Sequence, residues 1–344
     1  MAIGVSVIIC CYNSAERLPE TLKHLAAQQV PANIQWEVIV VDNASTDQTS
    51  DKAIEAWATN NIPGVGYSVL QEKLPGKNNA LKTGIAAARY EYLIICDDDN
   101  WLNPNYIATA FNSMNADNLV GIIGGCGSFE PELPIKQAIE NLKEYYINGP
   151  QHWAEEQHWV YGAGAVYRKS VFNLFANGKW PLITPGRVGG KLNGGEDAEM
   201  CFIAYLCGYK VIANDALTFK HFVPVKRQNL EYILDIRYWM SYSNVLLYSY
   251  FAMINNEQKP IEQVLSGWRT SIGKTLLKQS LLLSFRALKG LKMPALEQKL
   301  SFRANLGIFY SLLHNSKKIA KHHYSIKAAL SQISKPQHPV IQVQ

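Results

Sequence analysis

The sequence predicts an α/β protein with a mostly parallel, Rossmann-like sheet flanked by helices, followed by a C-terminal helical region. Four apolar runs alternate with segments of helical periodicity over the first hundred residues, which is the pattern of βα units in a parallel sheet. From Arg227 onward the strand-like patterns stop and long helical segments follow. We therefore predict two regions, 1–225 and 226–344.

Composition and charge agree with this division. The 344 residues are 48% hydrophobic and 18% charged, as in a globular protein with a sizeable core. Residues 1–225 carry 16 Lys and Arg against 23 Asp and Glu, a net charge of −7, whereas residues 226–344 carry 17 against 5, a net charge of +12. The basic region favours an anionic partner or surface.

Cysteine usage and hydropathy predict a cytoplasmic protein. The six cysteines form no Cys-x-x-Cys pair and lie mostly in apolar runs, so we expect reduced, buried thiols rather than a disulfide framework or a zinc site. The first residues resemble a strand rather than a secretory signal. No uncharged apolar run reaches the length of about 18 residues that a membrane-spanning helix needs.

Each of the first four predicted strands ends in a polar loop. The strands are 5–10, 36–41, 66–71 and 92–96, and the loops after them are 11–14, 42–47, 75–80 and 97–100. A helix should follow each of the first three loops. In the first of these helices, Leu18, Leu22 and Leu25 recur at helical spacing, and Ser14 is the predicted N-cap. Because the carboxyl ends of parallel strands meet at one edge of the sheet, the four loops predict a ligand site there.

The fourth loop carries three adjacent carboxylates, Asp97, Asp98 and Asp99, followed by Asn100. Two such charges about 4 Å apart repel by about 4 kcal/mol at an effective dielectric constant near 20, so we expect a cation there. Hard oxygen ligands suit Mg²⁺ or Mn²⁺. Strand alternation places Asp97 and Asp99 on one side, where they could hold a metal ion and a diphosphate together. A solvated acidic turn is the alternative.

Two common nucleotide motifs are absent from the sequence. A dinucleotide site needs Gly-x-Gly-x-x-Gly after the first strand, where this chain has Cys-Tyr-Asn-Ser. A phosphate-binding P-loop fails around Gly76, because Gln71 occupies the position of its first glycine. What remains is a sheet edge whose loops offer carboxylates and amides to a nucleoside.

The middle of the chain continues the α/β pattern. We predict strands at 120–125, 159–167 and 217–224, a helix over 135–147 and another from 196. Gly162 and Gly164 allow close approach of either a ligand or another backbone. The loop 181–195 is rich in Gly and Pro, which suits a mobile lid or a plain surface loop.

Four motifs, in order and spacing, resemble the family 2 glycosyltransferases: SVIICCYN at 6–13, VVDNASTD at 40–47, GKNNAL at 76–81 and DDDN at 97–100. The resemblance implies an inverting, metal-dependent enzyme with the A-type nucleotide-diphospho-sugar transferase fold. It implies that Asp42 accepts a hydrogen bond from the base, typically uracil, and that Lys77 lies near the base or the phosphates.

The resemblance also implies the remaining roles. The expected nucleotide-sugar ligands are Cys11, Tyr12, Asn13, Asp42, Ser45, Lys77, Asn79, Asp97 and Asp98. The expected ligands of Mn²⁺ or Mg²⁺ are Asp99, Asp97 and His221, although a lone strand histidine is more often structural. The expected sugar and acceptor pocket is lined by Trp159, Gly162, Ala163 and Gly164.

Three acids open the helix that begins at 196, and alone they could simply satisfy the helix dipole. In this context they resemble the family's Glu-Asp motif, so Asp197 is the expected general base and Glu196 a second catalytic candidate that contacts the acceptor. The base would take the proton of the acceptor hydroxyl as that oxygen attacks the anomeric carbon opposite the leaving diphosphate.

The last third should form helices at 229–254, 260–290 and 296–333. Leucines and basic residues mingle over 274–292, which fits a helix lying on an anionic membrane or a core helix with a basic solvated face. Nucleic acid is not an expected partner, because no recognisable binding module accompanies the charge.

We therefore predict a glycosyltransferase that moves a sugar from a nucleotide-diphosphate sugar, most simply a UDP-sugar, to a hydroxyl of a glycan or lipid-linked acceptor in surface polysaccharide biosynthesis. Two alternatives remain at this stage. A sugar-phosphate nucleotidyltransferase would share the sheet but should carry a glycine-rich, basic first loop. An inactive scaffold of the same fold is disfavoured by the intact Asp97, Asp99 and Asp197.

Overall fold

The computed structural model describes residues 2–60, 62–152, 157–176, 180, 182–184, 192, 194–289 and 295–332. The chain divides into two compact units. Within the described residues, unit 1 comprises Met1–Lys179 and Met200–Lys226, and unit 2 comprises Trp180–Glu199 and Arg227–Gln332. The division of function at residue 225 stays a prediction.

Unit 1 is built on an eight-stranded sheet with the order β3-β2-β1-β4-β7-β6-β8-β5. Its strands are β1 Ala2–Cys11, β2 Trp36–Asp42, β3 Gly66–Gln71, β4 Tyr90–Cys96, β5 Asn100–Leu102, β6 Val120–Pro131, β7 Val166–Arg168 and β8 Lys210–Val223. The first four pair in parallel, as predicted. β7 runs antiparallel to β4 and β6, and β5 runs antiparallel to β8, which is itself parallel to β6.

The central strands are covered on both faces, which explains their continuous apolar runs. All seven residues of β2 are buried. In β1, Val5 and Val7 belong to one apolar cluster and Ile8 belongs to the other. The mixed α/β prediction is confirmed in this unit.

Helices connect the strands of unit 1. They are α1 Leu18–Ala26, α2 Thr49–Asn60, α3 Lys77–Ala87, α4 Tyr106–Ala116, the short α5 Gln137–Glu140 and α6 Lys169–Ala176. A further helix, α7 Glu196–Leu206, contributes its first turn to unit 2 and the rest to unit 1. In α1, Leu18, Leu22 and Leu25 are all fully buried, as their spacing predicted.

Three local predictions were wrong. The predicted N-cap Ser14 lies before a turn, and α1 begins only at Leu18. Only α5 and a 3₁₀ turn, Lys143–Tyr145, occupy the helix predicted over 135–147. The strand predicted over 159–167 is reduced to β7, because Gly164 adopts φ +67 in the left-handed region and interrupts the extended backbone.

The described part of unit 2 beyond Arg227 is helical. It contains α8 Leu230–Leu246, α9 Tyr248–Ile254, α10 Ile261–Leu288 and α11 Leu296–Leu330. Asn229 caps α8 by accepting a hydrogen bond from the Tyr232 N–H. Among the residues described, none of the helices combines the length and apolar character needed to cross a bilayer.

Candidate active site

The polar loops that follow β1 and β2 are joined by side-chain to backbone hydrogen bonds. Ser45 Oγ accepts from the Asn13 N–H at 3.0 Å, and Asn13 Oδ1 accepts from the Thr46 N–H at 2.8 Å. Asn13 adopts φ +49, a left-handed conformation that asparagine tolerates better than most residues. The contacts fix the two loops against each other.

The loop after β3 is held in the same way. Asn43 Nδ2 donates to the Leu74 carbonyl at 2.7 Å, and Asn43 Oδ1 accepts from the Gly76 N–H at 2.7 Å. Asn79 Nδ2 donates to the Pro75 carbonyl at 3.2 Å, so this predicted nucleotide ligand also shapes its own loop. The first three loops therefore form one hydrogen-bonded edge, which reduces the ordering that ligand binding requires.

Asp42 presents an oriented carboxylate at this edge. It is only 5% exposed and accepts hydrogen bonds from the Ser45 N–H at 3.0 Å, Ser50 Oγ at 2.6 Å and Gln71 Nε2 at 3.2 Å. Burial alone would raise the pKa of Asp42, but these hydrogen bonds outweigh it and hold the pKa below its usual value. Asp42 is thus an ionised acceptor at neutral pH.

Basic side chains form ion pairs with two of the three adjacent acids. Lys77 Nζ lies 2.7 Å from Asp97 Oδ1 and ties the third loop to the fourth. Arg17, just before α1, donates through Nη2 at 2.5 Å and Nε at 3.1 Å to Asp98 Oδ2. Burial and the Asp99 charge raise the pKa of Asp98, and Arg17 counteracts them. Arg17 is thus a structural partner of Asp98. The predicted role of Asp98 as a nucleotide ligand is untested.

Asp99 lies beside His221 because β5 and β8 pair there. Asn100 stands opposite His221 in the antiparallel register, and His221 Nε2 is 3.9 Å from Asp99 Oδ1. Asp99 is 5% exposed and Asn100 is fully buried. Within the described part of the chain, the Asn100 side-chain amide has no hydrogen-bond partner. No group of three or more His, Cys, Asp or Glu in that part forms a complete metal cage.

The cysteines near this edge are protonated thiols. Cys11 is 1% exposed, and its backbone carbonyl accepts a hydrogen bond from the Asn43 N–H at 2.8 Å. Burial raises the pKa of Cys10 to about 12 and raises those of Cys11 and Cys96 as well. All six cysteines are free, as predicted. Tyr12, by contrast, is 58% exposed at the loop.

The segment predicted to line the acceptor pocket is mostly packed. Ala163 belongs to the apolar core, and the Tyr106 hydroxyl donates to the Gly164 carbonyl at 2.6 Å. A Cβ at Gly164 would lie 2.7 Å from that hydroxyl, which accounts for the glycine by packing. Trp159 and Gly162 are half-buried, and their part in a pocket stays a prediction. Much of the predicted lid, 181–195, lies outside the described residues.

In unit 2, the first turn of α7 carries Glu196, Asp197 and Glu199. Gly195 adopts φ +106 immediately before it, a conformation that favours glycine. Asp197 Oδ1 accepts from the Ala198 N–H at 2.8 Å, and Glu196 is half-buried. Acids at a helix N-terminus are stabilised by its dipole.

Glu199 has a structural role that the sequence did not reveal. It is 1% exposed and accepts from the Ile183 N–H at 2.7 Å, the Thr184 N–H at 3.0 Å and the Tyr250 hydroxyl at 2.7 Å. Burial raises its pKa, and these hydrogen bonds oppose the rise. Glu199 therefore fastens the α7 turn within unit 2. The sequence marks Glu199 only as one of three acids in the first helical turn and gives no sign of this role, since its partners lie 15 to 51 residues away.

The relatives found by sequence include polysaccharide synthases. A poly-beta-1,6-N-acetyl-D-glucosamine synthase of Staphylococcus epidermidis is 31% identical over 172 residues, which is 49% of this chain and 40% of that protein. The synthase of the same name from Staphylococcus aureus strain COL is 23% identical over 274 residues, 76% of this chain and 61% of that protein. The matches thus span about half the length of these curated relatives.

The fold is shared with a solved glycosyltransferase. The mannosyltransferase PcManGT from Pyrobaculum calidifontis, solved with GDP-Man and Mn²⁺, superposes with a TM-score of 0.55 at 21% identity, covering 95% of this chain and 86% of that one. The family model "Glycosyl transferase family 2" matches residues 6–175. Residues 6–175 therefore belong to glycosyl transferase family 2, and the chain has the A-type fold.

Proposed function

We propose that the protein is a metal-dependent, inverting transferase that moves a sugar from a UDP-sugar to a hydroxyl of a glycan or lipid-linked acceptor in surface polysaccharide biosynthesis. The observation that carries the proposal is the hydrogen-bonded sheet edge, where the ionised Asp42 ends β2 and the Asp97–Asp99 acids follow β4, two parallel strands that both pair with β1. The names of the two staphylococcal synthases make N-acetylglucosamine the first donor sugar to test. A lipid-linked acceptor would bring the enzyme to the inner face of a membrane as a peripheral protein.

Asp42 and Lys77 supply complementary contacts for a uridine diphosphate. The oriented carboxylate of Asp42 is an acceptor for the N3–H of uracil, and uracil N3 is a donor whereas cytosine N3 is an acceptor. The ammonium of Lys77 suits a phosphate oxygen. A bound diphosphate would compete with Asp97 for Lys77 and free that carboxylate for the ribose or the sugar.

The residues present fit a hard divalent cation held jointly with the substrate. Mn²⁺ or Mg²⁺ commonly takes one or two carboxylates and completes its shell with water and substrate phosphates, so a full protein cage is not required. Asp99 would be the main ligand, with Asp97 and His221 nearby, and the unpartnered amide of the buried Asn100 is a further polar group beside them. When bound, the cation would offset charge on the leaving diphosphate.

Asp197 is the proposed general base. Its carboxylate would accept the acceptor hydroxyl's proton while the oxygen forms a bond to the anomeric carbon and the bond to the diphosphate breaks. Attack from the face opposite the diphosphate inverts the anomeric centre. A product that keeps the donor's anomeric configuration, read by the NMR coupling of its anomeric proton, would contradict this assignment.

A thermal-shift panel tests the donor half. UDP, GDP, CMP and dTDP are each added with and without Mn²⁺ to the wild type and to Asp99→Asn. We expect stabilisation by UDP that is larger with Mn²⁺, and in Asp99→Asn we expect the Mn²⁺-dependent part to vanish. Stabilisation by another nucleotide would reassign the base, and no shift with any nucleotide in a folded protein would favour the scaffold alternative.

Product analysis tests the reaction class. With UDP-N-acetylglucosamine and a glycan acceptor, a transferase releases UDP, whereas a nucleotidyltransferase would require a sugar phosphate and a nucleoside triphosphate and would release pyrophosphate. We expect UDP alone. Pyrophosphate would contradict the proposal.

A further inference from the structure

Helix α10 has an apolar outer face in addition to the face that packs. Its inward residues Leu265 and Leu276 are 1% and 9% exposed, and the helix packs against α11. Five large apolar side chains nevertheless remain exposed on the same helix: Leu277 at 63%, Leu281 at 62%, Leu282 at 53%, Phe285 at 54% and Leu288 at 87%. A globular helix normally carries one apolar stripe, so the second one calls for its own explanation.

The exposed side chains form a continuous surface. At 3.6 residues per turn, Leu277, Leu281, Phe285 and Leu288 fall within about 80° of one another around the helix axis, and Leu282 lies about 60° beyond them. The packed Leu276 lies about 140° from the centre of that arc. We call these five exposed residues the outer α10 face. It points away from the packed side of the helix.

Charge identifies the kind of occupant. Residues 263–289 contain five Lys and Arg and no Asp or Glu. Lys274, Lys278 and Lys289 are exposed, and the helical spacing places them within the same sector of the helix surface, between the apolar residues. Two copies of this face would bring like charges together, which disfavours self-association. An anionic bilayer matches both properties.

We propose that the outer α10 face docks the protein on the surface of an anionic lipid bilayer. The leucines and Phe285 would enter the boundary between head groups and acyl chains, and the long side chains of the interspersed lysines would extend to lipid phosphates. Docking deepens the proposed function by bringing the enzyme to a lipid-linked acceptor, and only this use of docking rests on the proposed function. Docking itself is a property of unit 2 that needs no nucleotide.

Vesicle co-sedimentation tests the docking. The protein is mixed with vesicles of phosphatidylcholine alone or of phosphatidylcholine with phosphatidylglycerol. We expect binding to the anionic vesicles that weakens as salt is raised and little binding to the neutral ones. Failure of the wild type to bind anionic vesicles at low salt would overturn the proposal.

Two double variants separate the apolar and basic contributions. Leu281→Ser with Phe285→Ser should lower the vesicle partition coefficient at least about tenfold, because two large apolar side chains leave the interface. Lys274→Gln with Lys278→Gln should lower it by about fivefold for each lysine removed and reduce its salt dependence. Wild-type binding in both variants would overturn the proposal.

Controls distinguish misfolding, self-association and loss of catalysis. Ile54→Ser alters an equally exposed side chain, 55%, on α2 of unit 1 and should bind vesicles like the wild type. All variants should show wild-type circular dichroism and thermal unfolding. If the wild type is a dimer and Leu281→Ser with Phe285→Ser dissociates it, the outer α10 face would instead bind a second copy of the chain. With a water-soluble acceptor, these variants should still release UDP. If neither the wild type nor any variant releases UDP while the wild type still binds vesicles, the proposed reaction is contradicted but the proposed docking is not.

Discussion

Arg17 and Lys77 together bring two positive charges to the three carboxylates after β4. Arg17 meets Asp98 from the loop before α1, and Lys77 meets Asp97 from the first residue of α3. The repulsion among adjacent acids is thereby reduced before any ligand arrives. We infer that Asp98 anchors the fourth loop, which leaves Asp97 and Asp99 as the acids available for ligand chemistry.

Removing Arg17 should destabilise the fold. The Arg17 and Asp98 side chains are 18% and 14% exposed, so Arg17→Gln leaves a largely buried carboxylate without its cation. We expect a loss of about 3 kcal/mol in the free energy of unfolding, measured with urea. Arg17→Gln with Asp98→Asn should recover most of that loss because the uncompensated charge is removed. A double variant as unstable as Arg17→Gln would argue that Arg17 acts through packing instead.

Among single residues, the sequence revealed the acids but not all of their partners. Three adjacent aspartates predicted a cation, and this was interpreted as a metal ion. Arg17 was missed because residues 17 and 98 become neighbours only once β1 and β4 are known to pair. Gln71, which orients Asp42, was missed in a similar way, because the two residues become neighbours only once β2 and β3 are known to pair.

At the scale of elements, periodicity predicted the buried strands well and the loops poorly. Continuous apolar runs identified β1, β2 and β4 because both faces of each strand are covered. The same reasoning failed over 159–165, where Tyr106 packs on Gly164 and the backbone is not extended. The interior glycines allowed close approach of either a ligand or another part of the protein, and at Gly164 the contact with Tyr106 shows that it is the protein.

The crossing of α8 and α11 depends on a glycine. A Cβ at Gly307 would lie 2.2 Å from the Tyr238 carbonyl oxygen and 3.2 Å from the Tyr242 nitrogen, both backbone atoms of α8. Gly307→Ala should therefore force the two helices apart and lower the free energy of unfolding by about 1–3 kcal/mol. Calorimetric or urea unfolding measures the change.

A second glycine provides the matched control within unit 2. Gly267 in α10 is exposed, and a Cβ there would meet nothing within 4 Å. Gly267→Ala should raise the free energy of unfolding by about 0.5–1 kcal/mol, because alanine is the better helix former. Equal effects of the two substitutions would show that helix propensity rather than the close crossing governs Gly307.

At the scale of the whole molecule, the fold class and the family were predictable, since both depend on the order and spacing of many residues. The predicted roles, in contrast, depend on single side chains in different parts of the chain. The proposed nucleotide ligands lie in unit 1, and the proposed base lies in unit 2. Each group can be tested by its own measurement.

Asp197→Asn should separate binding from chemistry. The amide cannot accept the hydroxyl proton, so kcat should fall by about 10²–10⁴-fold. The thermal shift produced by UDP with Mn²⁺ should stay at the wild-type value, since the proposed nucleotide ligands are unchanged. Wild-type kcat in Asp197→Asn would exclude it as the base, and Glu196→Gln is the next variant to assay.

The buried thiols at the ends of β1 and β4 allow local opening to be timed. Alkylating reagents attack the thiolate, and burial keeps Cys11 and Cys96 protonated at neutral pH. Iodoacetamide can therefore modify these cysteines at an appreciable rate only while the sheet edge is transiently exposed. Peptide-resolved labelling over hours would report the lifetime of the closed edge in the native chain, without an introduced probe.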